Sequence, residues 1–183
     1  MQFHPLTVQA RADTPLGPVR LAASPTGLSG VWFEGQRHEP TAQLHGPGAW
    51  ALGPGHYPVL QEAVHQLQQY LAGERQHFDL PLDLSGGTPF QQAVWRALLA
   101  IPSGATTSYG ALARVLGSPT AVRAVGAAVG RNPISIVVPC HRVLGAGGAL
   151  TGYAGGLARK QALLRLEGAP PSIFPSQPLP AFA

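Results

Sequence analysis

Between Thr88 and Gly130 caps and stops follow one another so closely that only short helices fit. Thr88, with Gln91 three residues later, forms a capping-box pattern in which hydroxyl and amide satisfy each other's backbone N–H groups. Behind it Phe90, Val94, Trp95, Leu98 and Leu99 recur on one helical stripe. Ser108 starts a second helix that runs through Leu116 and stops at Gly117, and Ser118-Pro119 starts a third that lasts until about Gly130. Two short helices across a tight turn have the helix-turn-helix outline, which any packed helical domain can also show. The second of them carries the small residues Ala121, Ala124 and Gly126, and Arg123 is its only charge. Such a helix can lie close against a nucleic-acid groove or pack tightly in a core, and both readings stay open.

The first half has a different texture. Residues 15–33 hold two short apolar runs separated by turn formers, the pattern of a hairpin. Residues 46–58 read as a Gly- and Pro-rich loop, and beyond it Val59, Leu60, Ala63, Val64, Leu67, Tyr70 and Leu71 form a helical stripe ending near Gly73. The linker Ser85-Gly86-Gly87 marks a boundary. The fold class expected is α/β: a small N-terminal α/β domain (1–84), then a mainly helical C-terminal domain (85–169) with the helix-turn-helix. Within the latter, Ile134-Ser135-Ile136-Val137-Val138 reads as a short β-branched strand stopped by Pro139. Residues 144–156, with six Gly, read as a loop, and Leu157 to Leu166 as a last helix stopped by Gly168. Residues 170–183 contain five Pro and no charge, the composition of a mobile tail without catalytic duty.

Charge is split between the halves. Residues 1–87 hold four Arg and seven carboxylates, net −3, whereas residues 88–183 hold eight Lys or Arg against Glu167 alone, net +7. The basic half is a candidate nucleic-acid surface, or merely a solvated face. With 183 residues and 45% hydrophobic content the chain can build a real core. No run approaches the roughly 18–20 apolar residues of a membrane span, and Met1-Gln2-Phe3-His4-Pro5 is not a leader, so a soluble, cytoplasmic protein without membrane contact is expected. A single Cys excludes an intrachain disulfide and a zinc site built on several thiolates. Seven His leave a His-only metal site formally open, but no pair has convincing ligand spacing, so no metal is expected.

A lone Cys is ordinarily a small buried hydrophobe. Cys140, however, follows a segment that Pro139 breaks and precedes His141 and Arg142, two groups able to favour its ionised form. At an ordinary pKa of about 8.5 only about 3% of a thiol is ionised at neutral pH. A drop of about two units would ionise most of it, up to about thirtyfold more reactive species.

Pro139-Cys140-His141-Arg142-Val143, with Asn132-Pro133 before it and Gly152-Tyr153-Ala154-Gly155-Gly156-Leu157 after it, strongly resembles the O6-alkylguanine-DNA alkyltransferases. The likeness spans roughly residues 88–169, with Arg123 seventeen residues upstream of Cys140 and Glu167 twenty-seven downstream. It implies a repair protein that takes an alkyl group from O6-alkylguanine in DNA onto Cys140, once and irreversibly, with no cofactor. His141 would remove the thiol proton through a bound water, and Glu167 would orient His141. Tyr109 would serve the guanine ring nitrogen, and Asn132 would hold the active-site turn together. The base must be flipped out of the duplex to be reached. The helix with Ala121, Arg123, Ala124 and Gly126 would enter the minor groove of double-stranded DNA, Arg123 filling the gap left in the stack. Val129, Val143, Tyr153 and Ala154 would belong to the base pocket. Ala154 stands where the family often has Ser, which leaves the backbone N–H for the O6 atom and puts the tolerance for bulky alkyl groups in doubt. A monomer is implied. Three other readings compete: a DNA-binding relative that transfers nothing, a helix-turn-helix regulator, and a Cys-His hydrolase. Relatives of the first kind replace the cysteine, a regulator would want more base-reading side chains than Arg123, and a hydrolase would turn over.

Overall fold

The computed structural model describes residues 2–40 and 58–174. Three strands, β1 (Val8–Ala12), β2 (Val19–Ser24) and β3 (Gly27–Phe33), form an antiparallel meander in the order β1-β2-β3. β2 and β3 are the expected hairpin. β1, Val-Gln-Ala-Arg-Ala, has only small apolar residues on its inward face and gives little strand signal. Every residue of β2 and β3 is buried because both faces of the sheet are covered, and their sequences read as apolar runs rather than as an alternation. The helix α1 (Pro58–Leu71) lays Leu60, Ala63, Leu67 and Tyr70 onto the sheet, and Gly73 follows with φ of 79°. Most of the expected 46–58 loop lies outside the described residues.

In the second half α2 (Pro89–Leu99) starts on the capping box, with Thr88 and Gln91 each accepting the other's backbone N–H. Such a cap contributes about 1 kcal/mol. The linker before it is not loose. A side chain at Gly87 would begin 2.3 Å from the Trp95 ring, so only glycine lets the chain pass the core there. A two-residue parallel pair, β4 (Thr107–Ser108) with β5 (Val143–Leu144), sets two distant segments side by side. Ser108 also caps α3 (Tyr109–Val115) by accepting from Ala111 N at 3.1 Å. α4 (Val122–Gly130) begins later than expected, because Ser118–Ala121 closes as a turn with Ala121 N on Ser118 O at 2.9 Å. Trp95 Nε1 donates to Ala128 O at 2.8 Å and ties α2 to α4. α5 (Leu157–Leu166) ends with Glu167 at its C-cap.

The expected strand over 134–138 does not form. Asn132 explains why: its side chain accepts from Ile134 N at 3.0 Å and donates to Val138 O at 2.8 Å, coiling the segment around one amide. Ile136 takes a φ of 72°, rare for a β-branched residue. The coil still borrows the sheet edge, for Val31 N bonds Pro133 O and Ser135 N bonds Val31 O, both at 2.9 Å. One continuous core runs through both halves, from Val19 and Phe33 to Cys140 and Leu163. The stretch after Pro170 opens with a 3-10 turn, Pro171–Ile173, and Ile173 and Phe174 pack against Leu144, Leu164 and Ala169. The rest of the expected tail lies outside the described residues. Among those residues no helix is long and apolar enough to cross a membrane.

Candidate active site

Cys140 opens a 3-10 turn, Cys140–Arg142, at the end of the coil built on Asn132. Its sulfur accepts from Asn132 Nδ2 at 3.1 Å, and the residue is 5% exposed. Asn132 thus both shapes the turn and touches the thiol. His141 is fully buried, with Nε2 3.0 Å from Glu167 Oε1. Its Nδ1 is buried and has no partner among the described residues. Its ring meets the edge of Tyr153 at 6.5 Å between centroids.

Glu167, whose side chain is 1% exposed, is a hub. It accepts from Arg142 through Nε (3.0 and 3.1 Å) and Nη2 (2.6 Å), from the Tyr70 hydroxyl at 2.5 Å and from His141. Burial alone would raise its carboxyl, but the hydrogen bonds from His141 and Arg142 outweigh that and hold it at about 2. It is therefore an ionised acceptor, which puts the imidazole proton on Nε2 and leaves Nδ1 with a bare lone pair.

The ionisation expected of Cys140 is corrected by this geometry. Arg142, adjacent in the turn, points away to Glu167 and to the carbonyl of Ile101. Burial pushes the thiol up, and the Asn132 hydrogen bond and the charge of Lys160 only partly offset it. Burial likewise lowers His141 despite Glu167, so the imidazole rests neutral. Lys160, completely buried in α5, bonds the carbonyls of Val143 (2.5 Å), Thr151 (2.6 Å) and Gly152 (3.2 Å). Burial depresses its ammonium to about 8, against the pull of Cys140. Lys160 carries no local sequence signal. The only hint is that Arg159, Lys160 and Gln161 are consecutive polar residues in a helix that must pack, and all three are buried.

A cavity of about 310 Å³ opens beside these groups, lined by Tyr109, Gly126, Ala127, Tyr153, Ala154 and, from the N-terminal half, Arg37 and His38. Tyr109 stands at the start of α3 with its hydroxyl 3.4 Å from Gly152 O. Burial raises both Tyr109 and Tyr153, and a charge on Cys140 raises them further. Gly155 has no room for a side chain, since a Cβ would sit 2.8 Å from Tyr153 and 2.9 Å from Phe33. The loop is further held by Arg37 N on Ala154 O at 3.1 Å and by Arg159 Nη1 on Gly155 O at 3.1 Å. Arg37 and His38 are pocket residues that no sequence pattern announces.

Two residues expected in the base pocket, Val129 and Val143, do not line this cavity. Val129 is 3% exposed in the core, on the inner face of α4, and its neighbours Gly126 and Ala127 form the wall instead. Val143 is fully buried, and its carbonyl already accepts from Lys160. On the outer face of α4, Arg123, Ala124 and Ala127 are exposed, with Gly126 half-buried and Ala121 at the N-cap. Arg123 makes no hydrogen bond or ion pair with the described residues, and one turn further along the same helix reaches the cavity.

Residues 89–169 match the family described as "6-O-methylguanine DNA methyltransferase, DNA binding domain", and residues 8–84 match "6-O-methylguanine DNA methyltransferase, ribonuclease-like domain". The chain is 52% identical over 155 residues to the methylated-DNA–protein-cysteine methyltransferase of Mycobacterium bovis, covering 85% of this chain and 88% of that one. To the methyltransferase of the same name from Methanosarcina acetivorans it is 46% identical over 157 residues, covering 85% and 95%. Among solved structures, Mycobacterium tuberculosis OGT in complex with DNA superposes with a TM-score of 0.77 at 49% identity, over 87% of this chain and 92% of that one. Matched in both halves, and sharing 52% of aligned residues with such a relative, the chain belongs to the 6-O-methylguanine DNA methyltransferase family.

Proposed function

We propose that this chain repairs DNA by carrying the alkyl group of O6-alkylguanine to Cys140 in a single, irreversible turnover. The observation that carries the reading is that the chain's one cysteine accepts a hydrogen bond from Asn132 at 3.1 Å beside a buried His141–Glu167 pair, in a family whose relatives are named for methylating a protein cysteine.

The proton moves first. Neutral His141, next to Cys140 in the chain, has a bare, buried Nδ1, and a bridging water would carry the Cys140 proton to it. Glu167 holds Nε2–H and stabilises the imidazolium that forms. The sulfur pair then attacks the alkyl carbon in line with the C–O6 bond, which breaks with its electrons left on guanine. Tyr109 is raised by burial and by Cys140, so it acts as a strong hydrogen-bond donor to the ring rather than as a full acid. The backbone N–H of Ala154 would serve O6 and Tyr153 the face of the base. The guanine takes up one proton in place of the one parked on His141, and the thioether left on Cys140 is stable to water. No step calls on a cofactor.

A base in a duplex reaches this cavity only when flipped out. α4 is suited to extruding it, with a small-chained outer face, with Arg123 standing free to fill the vacated stack, and with its far end walling the cavity. Such a helix would lie in the minor groove, the protein acting as a monomer. A relative with this fold is known in complex with DNA. The reduced, unpaired thiol suits work in the cytoplasm.

The test is intact-protein mass spectrometry after mixing with duplex DNA containing O6-methylguanine. One methyl group should appear on the Cys140 peptide and none on Cys140→Ser. Turnover without a mass gain would instead mean hydrolysis and would overturn the reading.

A further inference from the structure

Tyr70 is 1% exposed in the middle of the core, where a phenylalanine would fill the same volume without a polar atom to satisfy. Its hydroxyl crosses from the N-terminal helix α1 to Glu167 Oε1 at 2.5 Å, a contact between residues 97 apart in sequence. The same oxygen is shared by His141 Nε2 at 3.0 Å and Arg142 Nη2 at 2.6 Å. Arg142 Nε also reaches it at 3.1 Å, and a carboxylate oxygen offers about two lone-pair directions, so four donor atoms from three residues compete for one oxygen.

We infer that Tyr70, although it belongs to the N-terminal half, is a positioning residue for alkyl transfer: its hydroxyl occupies part of Glu167 Oε1 and so sets how firmly that carboxylate grips His141. The assignment rests on His141 being the base proposed above. It gives the N-terminal half a chemical part in the reaction and not only a scaffolding one. The consequence has a definite sign. With the hydroxyl present, part of the negative charge facing the imidazole is drawn off, and His141 stays neutral at rest. With it removed, Glu167 stabilises the imidazolium more strongly, and His141 holds a proton to higher pH. The other groups facing this pair are chemically the same in both proteins: Arg142 and Cys140 in the same turn, Lys160 on α5, and Tyr153 from the glycine-rich loop.

Tyr70→Phe tests this in the full-length protein, with single-turnover rate constants on saturating O6-methylguanine duplex DNA measured across pH. The acid limb of the profile should move upward by about half a unit or more. Phe78→Leu is the packing control, because Phe78 meets the Tyr70 ring at 5.1 Å and leaves the hydroxyl in place. It should lower the melting temperature without moving the limb. An unmoved limb in Tyr70→Phe, or an equal displacement in Phe78→Leu, would overturn the assignment while leaving the transfer reaction intact. Failure of the unsubstituted protein to gain a methyl group would overturn the reaction itself.

Discussion

Alkylation of Cys140 should destabilise the protein that has just done its work. Cys140 is 5% exposed, in the core that also holds Val137, Val138 and Val143, and the neighbouring cavity is lined by Tyr109 and Tyr153 without including it. A methyl group therefore enters packed space between the sulfur and the cavity. Overfilling a core by a carbon or two costs about 1–3 kcal/mol. Asn132 loses little beyond this, because its amide keeps Val138 O at 2.8 Å. In a chain of this size each kcal/mol lowers the melting temperature by about 2–4 °C, so a fall of about 2–12 °C is expected. The assay compares thermal denaturation of protein before and after stoichiometric reaction, with the methylated fraction confirmed by mass and the DNA removed. A larger alkyl group should deepen the fall. Equal melting temperatures, or a rise, would refute the packing argument.

Arg123→Ala should leave stability within about 0.5 kcal/mol, as befits an exposed side chain, yet slow repair of duplex DNA far more than repair of single strands, where no stack has to be filled; equal slowing on both substrates would remove Arg123 from base extrusion. Lys160→Met should slow transfer by at least about tenfold, about 1.4 kcal/mol, in protein that still folds by circular dichroism, and an unchanged rate would show that the ammonium does not serve the sulfur. Glu167 has a folded pKa of about 2 against an ordinary 4.5, so its contribution to stability is complete above about pH 4.5 and is lost as pH falls toward 2. That amounts to about 3 kcal/mol, on top of a decline starting near pH 6.5 from His141, whose pKa is also lowered. Urea midpoints across this range should fall less steeply below pH 4.5 in Glu167→Gln, and an equal slope would place the titration elsewhere.

What could be read in the chain is what neighbours in sequence decide. The Thr88–Gln91 cap, Ser108 over Tyr109 and the stop at Gly168 depend on residues within a turn of one another, and each stands where the pattern puts it. The strand over 134–138 fails for an equally local reason of lower visibility: β-branched propensity competes with one asparagine side chain, and the asparagine wins by satisfying three backbone groups at once. The electrostatics of Cys140 fail for a different reason. Arg142 is two residues away in sequence, but its charge is directed at Glu167, while the cation whose charge bears on the thiol is Lys160, twenty residues on. Lys160 is also the least favourable group to keep there. With its ammonium depressed to about 8, it opposes folding at neutral pH, and its own contribution to stability should rise as pH climbs from about 8 toward 10.5, against the opposite contribution of the buried Cys140 thiol. A fully buried cation that weakens the fold and yet clamps the carbonyls of Val143, Thr151 and Gly152 beside the nucleophile is best explained by the reaction it serves. Proximity along the chain locates the cysteine, then, but the Lys160 charge that bears on it, and the Glu167 carboxylate with its Tyr70 hydrogen bond that hold the neighbouring His141, come within reach only by folding.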